Sequence, residues 1–415
     1  MSAPDGTSAI ARTASPGTKR YFEGTHRTCS PDETLARVQP LLAEIGITRI
    51  ANLTGLDRVG VPVAMAVRPN ARSVSISQGK GLTLAAAKVS AVMESLEVWH
   101  AERILKPVKL ASTREMRGEH RTAETTLLAR AAHSRHTEAT PLLWIEAEDL
   151  MGAGEVWVPF ELVSANYTLP LLPGSGGYQA NTNGLASGNG WLESVNHALC
   201  EVIERDARTL WQHWTRPQDR QIVDPGTIDD PACRDVLARI EVAGLHVRIW
   251  DITTDIGVAS FACVVTGRDE EDGVPELGSG CHPAKHIALL RALTEACQAR
   301  LIYIAAAREE YYPEIYTPAA RVRRSDIFRQ MVSTASPERA FQHVPTLESP
   351  SVEDDLRWML ARLRASGCDQ VAAVDLTRIA LGIPVARVIV PGLEGAWDEA
   401  YVPGTRARRR QRSVT

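Results

Sequence analysis

Apolar residues recur at helical spacing over Trp191–Trp214, at Leu192, Val195, Leu199, Val202, Ile203 and Leu210. That spacing predicts one long amphipathic helix. It follows a turn-rich run, Thr182-Asn183-Gly184-Leu185-Ala186-Ser187-Gly188-Asn189-Gly190, in which Asn189 or Gly190 marks the helix boundary. Glu193 then falls in the first turn, where the helix dipole favours a carboxylate. A second, alanine-rich helix is expected from residue 80 to about 103, after Ser77-Gln78-Gly79-Lys80-Gly81, which reads as a Gly-x-Gly loop. An earlier helix has Ser30 as its N-cap, Pro31 in its first position and Glu33 completing a capping box. It continues through Leu35, Val38, Leu41, Leu42 and Ile45, with Pro40 placed to kink it.

Between these helices the pattern turns to strands. Residues 46–53, 60–66 and 73–77 read as three of them, the last two parted by a turn at Pro69-Asn70. Residues 105–160 mix short pieces and turns without a readable period. Residues 164–190 form a long loop of the kind that is usually functional. From 224 to 300 helix and strand alternate: a helix over 232–243, strands at 246–250 and 259–265, and Gly278–Pro283 leading into a helix from Lys285 to about Ala307. Residues 308–354, rich in Pro, Tyr and charge, are expected to wrap the surface. A helix over 355–365 and strands at 370–375 and 385–390 complete an α/β pattern.

Composition narrows the class. The 415 residues are 44% hydrophobic and 23% charged, as in ordinary globular proteins, and a net charge of −4 gives no global case for nucleic acid. The seven cysteines form no CxxC pair, and Cys200, Cys263 and Cys297 lie in apolar runs, so reduced core thiols are expected. Residues 1–20 lack an apolar core and read as a disordered lead, not a signal peptide. No apolar run approaches a membrane span, so a cytoplasmic soluble protein is expected. The tail, 403–415, carries the basic run Arg406–Arg412, read as solvated, with contact to an acidic partner as the minor alternative.

Candidate chemistry lies on the two long helices. Glu201 and Glu204 stand three apart, so they share a helix face, and Arg205 follows. Glu94 and Glu97 repeat the spacing. Four carboxylates gathered together would repel strongly without divalent cations, which suggests Mg²⁺ with a polyphosphate. Spacing alone leaves scattered, solvated glutamates as the bland alternative. Thirteen residues separate Gly81 from Glu94 and eleven separate Gly190 from Glu201, which argues against a true internal repeat. Val74 and Gly81 stand where a P-loop needs Gly and Ser/Thr, and neither Gly-x-Gly has the third glycine of a dinucleotide fingerprint. HExxH and Gly-x-Ser-x-Gly are absent. His282 and His286, beside Cys281, read as a turn into a helix rather than a zinc site, and Arg291 and Glu295 as a helix-face ion pair.

Several blocks in order nevertheless carry a resemblance: Ser77-Gln78-Gly79-Lys80-Gly81, Glu94-x-x-Glu97, Asn183-Gly184-Leu185-Ala186, Glu201-Val202-Ile203-Glu204-Arg205-Asp206 and Arg291-Ala292-Leu293-Thr294-Glu295. From about residue 24 to 392 the chain resembles the YcaO family, ATP-dependent enzymes that activate backbone amides of ribosomally made peptides. The resemblance implies an α/β fold of mixed sheets flanked by helices, with a nucleotide cleft between helices and one ATP-binding catalytic unit over 21–402. It implies Mg²⁺ held by Glu94, Glu97, Glu201 and Glu204, with Glu193 as a further acidic position. ATP contacts would fall on Arg27, Thr34, Lys80, Asn183, Asn189, Arg205 and Arg291, with Glu295 beside them. Glu201, Glu204 and Arg205 would carry the catalytic role. The bland alternative for Arg205 and Arg291 is structural pairing with nearby glutamates. No enzyme nucleophile is required.

The chain lacks the PxPxP ending common in azoline-forming members and closes with Tyr401-Val402-Pro403-Gly404 and a basic run. Gly24-Thr25-His26-Arg27 and Gly46-Ile47-Thr48-Arg49 look similar to members that form thioamides with a TfuA partner. A precursor peptide, a TfuA-type protein and a second copy of the chain are the partners this implies. Azoline or amidine formation, and a non-catalytic ATP-binding accessory role, remain the alternatives.

Overall fold

Capping chemistry opens the chain's first helix. Strands β1 (Arg20–Phe22) and β2 (Thr25–Arg27) pair as a hairpin and lead into α1 (Pro31–Val38). Ser30 Oγ accepts from Glu33 N, and Glu33 accepts from Ser30 N at 2.6 Å, so both halves of the expected capping box form. Pro40 breaks the run as expected. The chain passes through a 3-10 turn, Gln39–Leu41, into α2 (Leu42–Ile45), which closes at Gly46 with φ 81°. This computed structural model describes residues 18–152, 154–267, 275–308, 312–333, 338–395 and 401–414.

Next come β3 (Arg49–Asn52), β4 (Val63–Val67) and β5 (Ile76–Lys80), a three-stranded antiparallel sheet. Here the structure corrects the sequence reading. Ser77–Lys80 is strand, not loop: Gly79 pairs with Ala64 and Lys80 with Val63. Helix α3 (Leu84–Glu102) lies so close to β5 that a Cβ on Gly79 would fall 2.1 Å from Ala87 O and from Ala91 N. The glycine permits close helix–strand approach rather than a turn.

The unread stretch from 105 to 160 is well ordered. It holds β6 (Val108–Ser112), α4 (Thr113–Glu119), β7 (Pro141–Asp149) and β8 (Gly154–Pro159), with Ser112 and Glu115 forming a second capping box. The long loop contains a short strand, β9 (Leu185–Ser187), and α5 (Trp191–Trp214) has the boundaries expected. Then follow β10 (Gln221–Val223), α6 (Pro231–Val242) capped by Asp230, β11 (Leu245–Asp251), β12 (Ser260–Gly267), β13 (Glu276–Cys281) and α7 (Lys285–Ala305).

Within 308–354, expected to be a surface wrap, stands a sixteen-residue helix, α8 (Pro318–Ser333), followed by β14 (Glu338–Arg339). Its signal was local: Pro318 in the first position and Thr317 Oγ1 accepting from Ala320 N at 3.3 Å. The chain ends in α9 (Val352–Ala365), β15 (Ala372–Asp375), β16 (Val385–Ile389) and α10 (Thr405–Val414). The basic run is therefore helical, and buried Glu394 caps it by accepting from Gly404 N and Ala407 N, each at 2.8 Å.

The chain divides into two compact units. The first comprises Met1–Lys19, Glu97–Val202 and Ser349–Arg409 and holds the sheet β6-β7-β15-β16-β9, with β8 on β7. Its core gathers Trp144, Ile145, Val158, Tyr178, Val374 and Val385. Of the expected N-terminal lead, 1–17 lie outside the described residues, while Lys19 makes a buried ion pair with Asp355 at 2.8 Å. The second unit comprises Arg20–Leu96, Ile203–Glu348 and Arg410–Thr415 and holds the sheet β13-β12-β11-β10-β14, antiparallel except for β10 with β14. Helices α6 and α7 join its core with Phe261, Cys263, Leu293 and Phe341. Helix and mixed sheet make the α/β class expected. All seven cysteines are free thiols, and all but Cys29 are buried. No helix among the described residues is long and apolar enough to cross a membrane.

Candidate functional site

The second unit uses one strand–helix device twice. In β5 and α3, Gln78 N donates to Glu94 Oε2 at 2.8 Å, and in β13 and α7, Ser279 N donates to Glu295 Oε1 at 3.2 Å. Donor and acceptor are sixteen residues apart in both. A Cβ added to either glycine that follows, Gly79 or Gly280, would meet matching atoms: Ala87 O at 2.1 Å and Ala288 O at 2.2 Å, Ala91 N at 2.1 Å and Ala292 N at 2.6 Å. The device pairs Gln78–Glu94 with Ser279–Glu295, not Gly81–Glu94 with Gly190–Glu201.

Charge gathers around Glu295. Lys80 Nζ, from the end of β5, donates to Glu295 Oε2 at 2.9 Å. Burial would push this carboxyl up, but Lys80 and then Arg205 overcome it and hold it down at about 2. Glu295 thus pairs with Lys80, and the expected pairing with Arg291 does not form. Arg291 Nε is buried without a hydrogen-bond partner among the described residues. Ser279 Oγ donates to buried Glu204 Oε1 at 2.7 Å and lies 3.4 Å from Glu295 Oε1, so one hydroxyl stands between two carboxylates. Arg208 Nη1 approaches the same hydroxyl at 3.5 Å, and burial followed by the neighbouring Arg205 lowers the Arg208 guanidinium's affinity for its proton. Arg27 lies in β2, its Nη1 donating to His26 O at 3.4 Å. Thr34 is buried in α1, its hydroxyl donating to Ser30 O at 2.9 Å. His282 Nδ1 accepts from Ala284 N at 3.0 Å, which makes the turn into α7.

The first unit holds the other candidates. Glu97 Oε1 accepts from both Ser187 N and Ser187 Oγ at 2.7 Å. Buried Glu193 accepts from Asn189 N and Nδ2, each at 3.2 Å, and so ties the glycine-rich run to the start of α5. Asn183 N donates to Asn181 Oδ1 at 3.0 Å, while Asn183 Oδ1 is buried without a partner among the described residues. Burial pushes the Arg387 guanidinium down to about 10, with Tyr167 and Glu201 opposing. The unit boundary crosses both helices, so α3 carries Glu94 in the second unit and Glu97 in the first, and α5 carries Glu201 in the first and Glu204 in the second.

Residues 78–394 match the family model of YcaO cyclodehydratase, ATP- and Mg²⁺-binding. The chain belongs to the YcaO family. The family acts in ATP-dependent peptide modification. A Rhizobium leguminosarum bv. trifolii protein, described as an uncharacterized protein in the tfuA 3' region, is 35% identical over 401 residues, 94% of this chain and 93% of its own. A Methanothermobacter thermautotrophicus protein is 38% identical over 368 residues, 88% of this chain and 94% of its own. The fold is similar to that of YcaO from Methanopyrus kandleri bound with AMPPCP and Mg²⁺, with TM-score 0.72, 24% identity, and coverage of 93% of this chain and 100% of that one. It is also similar to a heterocyclase in complex with substrate and cofactor, with TM-score 0.77, 22% identity and 93% of this chain covered. The match spans 54% of that longer chain.

The residues of this YcaO chain fit a metal–nucleotide pair chemically. Among the described residues no three His, Cys, Asp or Glu side chains form a ready-made metal cage. Carboxylate oxygens are nevertheless the hard ligands Mg²⁺ takes, and a bound triphosphate supplies its own oxygens. The buried, unpartnered Arg291 Nε and Asn183 Oδ1 are polar atoms that a ligand would satisfy. Three polar side chains beside these candidates have no place in the sequence reading: Ser279, Arg208 and Arg387. Arg387 left a signal, a lone arginine within the apolar strand Val385-Ala386-Arg387-Val388-Ile389. Ser279 and Arg208 left none that spacing could show.

Proposed function

We propose that the chain activates a backbone amide of a ribosomally made precursor peptide by ATP-dependent O-phosphorylation, giving a thioamide with a sulfur donor and a TfuA-type partner. The cluster of Lys80, Arg205, Arg208 and Ser279 around Glu204 and Glu295 carries the reading. Such a set suits a highly charged phosphate ester with its metal, and the reading requires no enzyme nucleophile. Glu94, Glu97, Glu201 and Glu204 would hold Mg²⁺, with Glu193 bracing the loop beside them. Lys80, Asn183, Asn189, Arg205 and Arg291 would hold ATP, and Arg27 and Thr34 would complete its contacts. When bound, Mg²⁺·ATP supplies the phosphoryl group that turns the amide oxygen into a leaving group. Lys80 keeps Glu295 ionised, Ser279 fixes the Glu204 carboxylate, and Glu201, Glu204 and Arg205 orient the reacting phosphate. The relative in the tfuA 3' region supports the choice of thioamide.

The family's description as a cyclodehydratase supports a second reading, azoline formation, in which a Cys, Ser or Thr side chain attacks instead of sulfide. Intact-mass analysis separates them. A candidate precursor peptide is incubated with the protein, Mg²⁺, ATP and sulfide, with and without a TfuA-type protein, beside a Glu201→Ala control. A gain matching oxygen replaced by sulfur, absent in the control, is expected. Loss of one water would move the product to azoline. An unchanged mass with a verified cognate peptide and partner would overturn the catalytic reading in favour of an accessory role.

A further inference from the structure

We infer that Arg387 is a further binding residue of this site, one that donates to an oxygen of the phosphoryl group. The inference rests on the phosphoryl-transfer reading above and deepens it. Arg387 stands in β16, whose five residues are all buried, and is itself 2% exposed. Its Nη2 donates to Asn181 O at 2.8 Å and lies 3.3 Å from Asn181 Oδ1. Its Nε and Nη1 are buried with no hydrogen-bond partner among the described residues. Charged donors left dry are costly, so such a position calls for an acceptor.

Strand register says what lies nearby. Arg387 pairs with Leu185 of β9, and Val385 pairs with Ser187. Residues opposed across an antiparallel ladder project to the same face, and alternate residues share it, so Arg387 and Ser187 occupy one face of this sheet. Ser187 is the residue whose amide and hydroxyl hold Glu97. Glu201 is close enough for its charge to act on the guanidinium. One candidate metal carboxylate, Glu97, is therefore held on the face that carries the unsatisfied donors, and the charge of a second, Glu201, reaches the guanidinium; both lie within the first unit.

The chemistry of the missing acceptor follows. A metal ion is excluded, because the donors are cationic N–H groups. A peptide carbonyl offers one neutral oxygen. A phosphoryl group offers several anionic oxygens on one centre, which suits donors that diverge around a guanidinium.

The test compares wild type with Arg387→Met and Arg387→Lys by calorimetric titration of AMPPCP and of ADP, each with Mg²⁺. Melting of the ligand-free proteins accompanies it. The expected result is AMPPCP affinity weakened about tenfold or more in Arg387→Met, with ADP affinity held within about twofold. Ligand-free melting should be unchanged or higher, because a dry charge has been removed. Arg387→Lys should fall between the two, and it decides the matter by the same ratio if Arg387→Met does not fold. Equal weakening of both nucleotides, or of neither, overturns the inference while the wild type's binding leaves the wider reading standing. A wild type that binds neither nucleotide with Mg²⁺ overturns that wider reading and the inference with it.

Discussion

Glu276 shows what burial does to a single carboxylate in this fold. It lies in β13 at 3% exposure, with Arg324 Nη2 2.6 Å from its Oε2. Burial pushes its carboxyl up to about 7 even though Arg324 pulls the other way. In an unfolded chain the group titrates near ~4.3. The folded state therefore holds the extra proton between those values. Its stabilisation is present below the lower one and is lost as pH rises through about 7. Denaturant melts of wild type and Glu276→Gln should diverge by up to about 3 kcal/mol between pH 4.5 and 8, with the variant gaining as pH rises. A gap that stays flat across that range contradicts the assignment. Ser279 offers a second test. Removing the hydroxyl that donates to Glu204 in Ser279→Ala should raise the Mg²⁺ needed for half-maximal nucleotide binding by roughly five- to tenfold, and unchanged Mg²⁺ dependence would sink that role. The ExxE spacing on α3 and α5 is legible in sequence because helical periodicity is local. Ser279 is not, since its partner Glu204 lies 75 residues away.

At the scale of elements, amphipathic helices are legible in sequence and close packing is not. Helix α5 has the expected ends because its apolar stripe and its Gly/Asn boundary agree. The second half of strand β5, 78–80, reads as loop in sequence because glycine signals a turn as readily as it signals contact. The signal that tells them apart lies in α3, whose Ala87 and Ala91 also keep the surface flat where the strand meets it. Helix α8 was missed because its composition is charged, with one side packed through Phe328, Met331 and Val332. The paired device makes a symmetrical prediction. Gly79→Ala and Gly280→Ala should each lower stability by about 3 kcal/mol, because the new methyl meets backbone that cannot rotate away. Gly190→Ala, with nothing within 4 Å of the added carbon, should change stability far less. Comparable melting of all three variants would contradict the packing argument.

For the whole molecule, sequence pattern indicated α/β alternation and the family blocks, but not that the chain forms two units. Each unit is assembled from segments far apart in sequence, and local periodicity carries no information about such returns. The first unit's sheet sets β7 beside β15 from more than two hundred residues later, so its order could not be read from neighbouring strands. The covalent path has an experimental consequence too. Leu96 and Glu97 are consecutive residues of α3, and Val202 and Ile203 of α5, yet each pair is divided between units. Melting one unit must therefore fray a helix that continues into the other, and a single calorimetric transition is expected. Two separated transitions would show the units to be independent.

That path also limits how such a protein can be rebuilt. Modular enzymes are recombined by cutting at linkers and exchanging intact parts, and here three of the five passages between units, at 96/97, 202/203 and 409/410, run through a helix. Fragments divided at 96/97 and 202/203 would each begin or end on exposed amides and carbonyls that the neighbouring turn had satisfied. Grafting a new substrate preference onto this scaffold would have to proceed through surface loops, leaving the divided helices whole.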